Sequence, residues 1–145
     1  MKKSQKEIKL NHNANDLYSI VLNIEEYPDY IPWCSKTEII DNKNNVIKAN
    51  MFVNYKFFPT QKFTSKVVFD SKKKLIKTNY IDGPLNNLFT SWKFIKLEKN
   101  KTKVIFTVGF EFKKFSHQKL AELFFPFIEV KMMKSFVERA DKILN

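Results

Sequence analysis

The chain has 145 residues, of which 43% are hydrophobic, and it carries a formal net charge of +11 at pH 7. This length is typical of one folded domain, which we expect to span residues 1–145. The sequence contains no apolar run of membrane-spanning length and no signal-peptide pattern, so we expect neither a spanning helix nor export. The single cysteine, Cys34, cannot form an internal disulfide or a multi-cysteine zinc site, which favours a reducing compartment, the cytoplasm.

The excess of basic residues predicts a surface attracted to phosphate, either of nucleic acid or of anionic lipid. The lysines are scattered and no nucleic-acid-binding motif is visible, so we expect no specific DNA binding. A composition rich in Lys, Asn, Ile and Phe is also what AT-rich coding DNA produces. The fifteen phenylalanines either fill an ordinary core or line a cavity for an apolar guest, and composition alone favours the core.

The first elements in chain order are a short strand and a helix. Ile8 and Leu10 alternate with polar residues, which is typical of a half-buried strand. Residues 13–16 offer an N-cap, and apolar residues then recur at helical spacing from Leu17 to Ile24. Proline discourages continuation of this helix near Tyr27, and we predict a second short turn over residues 27–31.

From Lys36 to Phe112 the apolar period changes to two, which predicts β-strands. The polar breaks, which we interpret as hairpin turns, lie at residues 41–45, 70–74 and 98–101. The clearest strand is Val104 to Phe112, where every second residue is apolar. This segment therefore predicts a meander of antiparallel strands with one apolar face.

After Lys113 the period becomes helical again, and a broad apolar stripe requires a partner surface. The stripe consists of Leu120, Phe124, Phe127, Ile128, Met132, Phe136, Ala140 and Ile143. The apolar face of the sheet is long enough to receive it, so we expect the helix to cross the sheet. Lys131, Lys134 and Lys142 should then face water. Pro126 should kink the helix or mark a new first turn.

The segment Tyr27 to Cys34 sharpens this pattern, which otherwise leaves several α+β folds open. It runs Tyr-Pro-Asp-Tyr-Ile-Pro-Trp-Cys and resembles the signature of the coenzyme Q-binding START family. Further matches lie at residues 63–67, 82–85, 92–94, 110–112 and 133–140, whereas Leu85 and Pro126 depart from the family pattern. The resemblance implies an α+β helix-grip (START/Bet v 1-like) fold. In that fold two short helices and a long C-terminal helix accompany a curved antiparallel sheet, and the long helix covers its concave face.

The same resemblance implies a function. Members of the family bind ubiquinone or a related polyprenyl lipid without catalysis and support respiratory electron transport. A bacterial branch is described as toxins that hinder ribosomal subunit association, so a ribosome-binding regulator is the alternative. The Trp33-Cys34 pair resembles the quinone-associated members more closely. A third hypothesis, that the protein is an aromatase or cyclase acting on polyketides, rests only on the shared fold. We also expect peripheral contact with an anionic membrane surface, at the cytoplasmic face of the inner membrane.

A polyprenyl quinone is almost entirely apolar, so a carrier needs an enclosed apolar slot more than polar contacts. A long helix laid over a curved sheet leaves such a slot near its middle. The predicted lining residues are Tyr27, Trp33, Trp92, Phe94, Phe106, Val108, Phe124, Ile128 and Met132. The segment Tyr27 to Cys34 is stiff. It either gates the slot or holds the quinone head group, or it only pins a junction between elements.

Catalysis has little support in the sequence. Two histidines, His12 and His117, and Cys34 provide the material for a Cys–His pair, but no motif brings them together. Gly83 and Gly109 are isolated and cannot form a phosphate-binding loop. We therefore expect no enzyme, no metal and no cofactor beyond the bound lipid.

Overall fold

A computed structural model describes residues 1–55 and 58–144 of the chain. Its strands are β1 (Lys2–Leu10), β2 (Cys34–Lys43), β3 (Val46–Tyr55), β4 (Phe58–Asp70), β5 (Leu75–Asp82), β6 (Leu85–Glu98) and β7 (Lys101–Phe112). Its helices are α1 (Ala14–Leu22), α2 (Tyr27–Tyr30) and α3 (Phe115–Leu144), and a 3-10 turn over Ile24–Glu26 joins α1 to α2.

The seven strands form one antiparallel sheet in the order β1-β7-β6-β5-β4-β3-β2. Strands β2 to β7 follow one another as a meander, and β1 returns beside β7, where Ser4 pairs with Val108. Asn44 and Asn45 form the tight turn between β2 and β3 at φ values of 53° and 62°, a conformation that asparagine tolerates well. Register shifts interrupt four of the strand pairings, for example between Ile39 and Asp41. Such bulges bend and twist a sheet, which gives this one its curvature.

Helix α1 begins where the sequence predicts, because the Asn13 side chain accepts a hydrogen bond from the backbone N–H of Asn15 at 2.8 Å. Helix α2 occupies the predicted short turn. The long helix α3 closes the concave face of the sheet, where its buried Phe136 ring lies 5.2 Å from that of Trp92. The predicted helix-grip fold is therefore confirmed.

Helix α3 differs from the sequence-based expectation at two apolar residues. It runs through Pro126 as one helix, so of the two effects predicted for this proline the new first turn is absent. Phe127 and Ile143, which were predicted to face the sheet, are 69% and 46% exposed. The reason is that the apolar residues of α3 cover more of the helix circumference than the sheet can receive. Lys131, Lys134 and Lys142 face water, as predicted.

Candidate functional site

The candidate site is a cavity between α3 and the sheet, divided into two adjoining compartments of about 270 Å³ and about 160 Å³. Taken together, the two volumes lie in the lower part of the range of about 300–1,000 Å³ that is usual for small-molecule sites. Both compartments are bordered by Trp33, Met51, Phe63, Leu88, Thr90, Phe106 and Met132. Because they share these residues, the two compartments lie side by side, and we call them together the slot.

The larger compartment lies under the N-terminal two thirds of α3. Its further lining residues are Val53, Gln61, Leu85, Val108, Phe110, Phe112, Ala121, Phe124, Phe125, Ile128 and Glu129. The Phe125 ring packs against that of Phe110 with centroids 5.0 Å apart. This aromatic contact and Gln118, whose side-chain oxygen accepts the Phe112 N–H at 2.7 Å, hold the start of the helix to β7.

The smaller compartment lies between the middle of the sheet and the segment from α1 to Trp33. Its further lining residues are Val21, Ile24, Tyr27, Tyr30, Ile31, Ala49, Ser65, Val67, Ile76, Thr78, Trp92 and Phe136. Apolar atoms make up most of the wall of both compartments. The slot is therefore suited to an apolar molecule with few polar groups.

Glu129 is the exception in this apolar wall. Its side chain is only 6% exposed. One carboxylate oxygen accepts a hydrogen bond from Ser4 Oγ at 2.5 Å, and the other lies 3.7 Å from Lys6 Nζ. A buried carboxylate requires such partners because desolvation is costly. The arrangement ties α3 to the edge strand β1 and leaves one acidic group at the rim of the larger compartment.

The segment Tyr27 to Cys34 is held on both sides. The Tyr27 hydroxyl donates to the carbonyl of Val21, and the Tyr27 and Tyr30 rings meet edge to face at 6.0 Å. Burial raises the pKa of both tyrosine hydroxyls well above their ordinary value, so both stay neutral. Arg139 of α3 lies 5.3 Å from the Tyr30 ring centre. The segment thus pins α1 to α3 while Tyr27, Tyr30 and Trp33 form part of the cavity wall.

Of the nine residues predicted to line the slot, eight lie on its wall: Tyr27, Trp33, Trp92, Phe106, Val108, Phe124, Ile128 and Met132. Phe94 does not join them. It is a core residue, 3% exposed, and packs against Tyr18 at 6.1 Å between ring centroids. Phe94 lies one inward position beyond Trp92 on β6, where α1 rather than the cavity covers the sheet.

Sequence reasoning missed several wall residues on the middle strands, including Met51, Phe63 and Leu88. Met51 and Phe63 are directly paired across β3 and β4. Their signal was present in the alternation of both strands, since Met51 is two residues from Ala49 and Phe63 is two residues from Ser65 on the same faces. Glu129 was missed because a charged residue between apolar neighbours on a helix is expected to face water.

The histidines and the cysteine serve other contacts. His12 Nε2 lies 2.8 Å from Asp141 Oδ1, and the Cys34 thiol donates to the Lys36 carbonyl at 3.9 Å. The His117 ring meets Phe112 edge to face. Among residues 1–55 and 58–144, no three His, Cys, Asp or Glu side chains lie close enough to hold a metal ion. Within the same ranges, no helix is long and apolar enough to span a membrane.

The fold and its slot define a helix-grip protein with an internal apolar cavity. A family model described as polyketide cyclase / dehydrase and lipid transport matches residues 10–137, and the chain belongs to this family. The chain is also similar to individual proteins, among them two curated relatives and one solved structure.

One relative is the mitochondrial coenzyme Q-binding protein COQ10 homolog B of Xenopus laevis, 27% identical over 92% of this chain and 56% of the relative. The chain therefore spans little more than half the length of that protein. Another is the ribosome association toxin RatA of Rickettsia prowazekii, 28% identical over 94% of both chains. The crystal structure of the Zhui aromatase/cyclase from a Streptomyces species superposes with a TM-score of 0.89 at 13% identity, covering 99% of this chain and 96% of that one, which is a likeness of fold.

Proposed function

We propose that the protein binds ubiquinone or a related polyprenyl lipid in the slot under α3 and acts as a non-catalytic carrier that supports respiratory electron transport. The observation that carries the proposal is the mostly apolar wall that α3 forms with the sheet around Trp33, Phe106 and Met132. Two similarities support the choice of ligand. The segment from Tyr27 to Cys34 resembles the quinone-associated signature, and the whole chain is similar to a coenzyme Q-binding protein.

The volume of the slot limits how much of such a ligand can be enclosed. A head group and the first part of the tail match two compartments of about 160 Å³ and about 270 Å³, whereas a long tail exceeds them. Each buried methylene gains about 0.8 kcal/mol on leaving water, so even partial burial of the tail gives useful affinity. The remainder of the tail would leave the slot beside α3.

The first experiment is extraction. Protein purified without detergent from a quinone-producing host is extracted with organic solvent, and the extract is analysed by chromatography and mass spectrometry. We expect a polyprenyl quinone in an amount proportional to the protein. A protein that is empty of quinone and that does not take up added short-tail quinone contradicts the proposal.

The second experiment uses the two tryptophans, both of which line the slot, as reporters. Quinone binding should quench their fluorescence in a saturable way. Thr90→Phe places a ring where the compartments meet, and Met132→Phe narrows the slot from the helix side. We expect each to weaken binding by about tenfold or more, because overpacking displaces the ligand. Ser91→Phe adds the same ring on the opposite face of β6 and should leave binding unchanged.

A ribosome-binding regulator is the second candidate, supported by the net charge of +11 and by the similarity to RatA over 94% of both chains. Sucrose-gradient profiles with added protein at low salt test it. A shift from joined ribosomes to separate subunits, insensitive to the slot-filling variants, would favour this candidate. Unchanged profiles would exclude it.

A further inference from the structure

The outer face of α3, which points away from the slot, carries exposed apolar side chains. Leu123, Phe127 and Val130 are 67%, 69% and 64% exposed, and their spacing places them along one line of the helix. Phe115, the first residue of α3, is 75% exposed. We call these four residues the outer stripe. A helix that faces only water normally carries polar residues on this side, so the stripe requires an explanation.

Positive charge surrounds the outer stripe. The exposed lysines beside it are Lys113, Lys114, Lys119, Lys131 and Lys134, of which Lys134 pairs with the exposed Glu138 at 3.9 Å. The acidic residues nearest to it in sequence are engaged elsewhere: Glu122 accepts a hydrogen bond from the buried Gln118, and Glu129 is buried against Ser4. This part of α3 therefore presents an apolar strip inside a basic border.

We propose that the outer stripe and its lysine border dock on the surface of a bilayer that contains anionic phospholipid. The stripe would enter the boundary between head groups and acyl chains while the lysines contact the phosphates. The inference deepens the proposed lipid-carrier function. The opposite side of the same helix segment, at Phe124 and Ile128, lines the slot. Docking at this surface places the helix that covers the slot on the membrane that holds the lipid.

Other occupants match this surface less well. The phosphates of ribosomal RNA would bind the lysines but would leave the apolar side chains of Leu123 and Phe127 without an apolar partner. A second copy of the chain in a symmetric contact would cover the stripe but would place the two lysine borders against each other. An anionic bilayer satisfies both the apolar and the charged component.

The test is vesicle flotation with the full chain. The vesicles contain either phosphatidylcholine alone or phosphatidylcholine and phosphatidylserine at about three to one, a composition with a negative surface potential. We expect binding to the mixed vesicles only, and weaker binding at high salt. Phe127→Glu should weaken it by about tenfold or more, because an apolar anchor is lost and a negative charge is added. Lys113→Gln with Lys114→Gln should weaken it by about thirtyfold, given the usual contribution of about 1 kcal/mol from each lysine near an anionic surface.

Matched control variants lie elsewhere on the molecule. Ile40→Glu changes an apolar residue of β2 that is 52% exposed, and Lys72→Gln with Lys73→Gln removes two lysines from the turn between β4 and β5. Both should bind vesicles as the unchanged protein does. All variants alter exposed side chains, and thermal unfolding followed by circular dichroism checks that each is folded.

The outcomes separate this inference from the proposed function. Absence of binding to the mixed vesicles, or equal loss in stripe and control variants, overturns the inference. A dimer that Phe127→Glu dissociates, without vesicle binding, assigns the stripe to a second copy and also overturns it. Fluorescence titration with a short-tail quinone, without vesicles, is run on the same variants and should be unaffected by Phe127→Glu. Quinone binding without vesicle binding overturns only the docking surface, whereas the reverse overturns only the quinone carrier.

Discussion

His12 Nε2 lies 2.8 Å from Asp141 Oδ1, and this contact ties the last turns of α3 to the connection between β1 and α1. His12 is 8% exposed, and its backbone carbonyl accepts a hydrogen bond from the buried Thr102 hydroxyl at 2.8 Å. Arg139 pairs with Glu26 at 3.4 Å on the neighbouring face. The C-terminal end of α3 is thus anchored by polar contacts, while its N-terminal part roofs the larger compartment.

The His12 contact should contribute measurably to stability. We expect Asp141→Ala to lower the free energy of unfolding by about 1 kcal/mol, the usual net value of a hydrogen bond at a partly buried site. Urea denaturation measures it. Glu138→Ala is the control, because Glu138 pairs with Lys134 at 3.9 Å where both are well exposed, and should cost no more than about 0.5 kcal/mol. Equal losses would show that the His12 contact adds nothing beyond a surface pair.

The two phenylalanines Phe136 and Phe127 should differ sharply in their contribution to stability. Phe136 is 2% exposed and packs against Trp92, so Phe136→Ala should cost about 3–5 kcal/mol. Phe127 is 69% exposed, so Phe127→Ala should change the free energy of unfolding by less than about 0.5 kcal/mol. Denaturant titration compares the variants. A large loss for Phe127→Ala would mean that the ring packs inward after all.

The buried Glu129 carboxylate should be sensitive to the loss of its partner. Ser4→Ala leaves a carboxylate oxygen without its hydrogen bond and should cost about 1–3 kcal/mol. Glu129→Met removes the buried charge while Ser4, which is half-buried, and Lys6 can turn to water, so it should cost less. It also makes the rim of the larger compartment apolar, and we expect equal or tighter binding of an apolar tail. A larger loss of stability for Glu129→Met than for Ser4→Ala would contradict this account.

The Cys34 thiol should be unreactive in the folded protein. Burial raises its pKa from 9.0 to about 11, so little thiolate is present near pH 8. Alkylation by iodoacetamide followed by mass spectrometry should be slow there and should accelerate in urea. Rapid alkylation of the folded protein at pH 8 would contradict the burial of this group.

The raised pKa of the Cys34 thiol also predicts how the free energy of unfolding depends on pH. The unfolded chain loses the thiol proton at lower pH than the folded chain does, so the stabilising contribution is complete below pH 9 and is lost as pH rises to about 11. Buried Tyr27 and Tyr30 act in the same direction at high pH. Cys34→Ala isolates the cysteine, because its stability should fall less steeply across this window than that of the unchanged protein.

Local patterns predicted most of the fold. The alternation from Val104 to Phe112 corresponds to β7, the Asn13 cap starts α1, and the segment from Tyr27 forms α2. These features depend on neighbours in sequence, so they can be read without coordinates. The strand β1 proved longer than Ile8 and Leu10 suggested, because its first residues gain their hydrogen bonds from β7, about a hundred positions away.

Much of the candidate site was also predictable, because strand alternation and helical spacing placed Trp92, Phe106 and Met132 on inward faces. The sequence did not predict the orientation of residues near the edge of the apolar stripe of α3. Phe124 lines the slot while Phe127, three residues later, faces outward. Both are phenylalanines, and their difference follows from where α3 rests on the sheet rather than from residue type.

The amino-acid sequence by itself determined the order of elements, the apolar faces and the family, since each depends on short-range periodicity or on a contiguous motif. Only the tertiary structure decided that a slot remains between α3 and the sheet, that Glu129 turns inward to Ser4, and that the outer stripe is left uncovered. The physical reason is that each of these properties depends on how α3 packs against strands that are distant from it in the chain. Sheet curvature, set by bulges on several strands, determines how closely a helix can approach and which of its side chains find space beneath it.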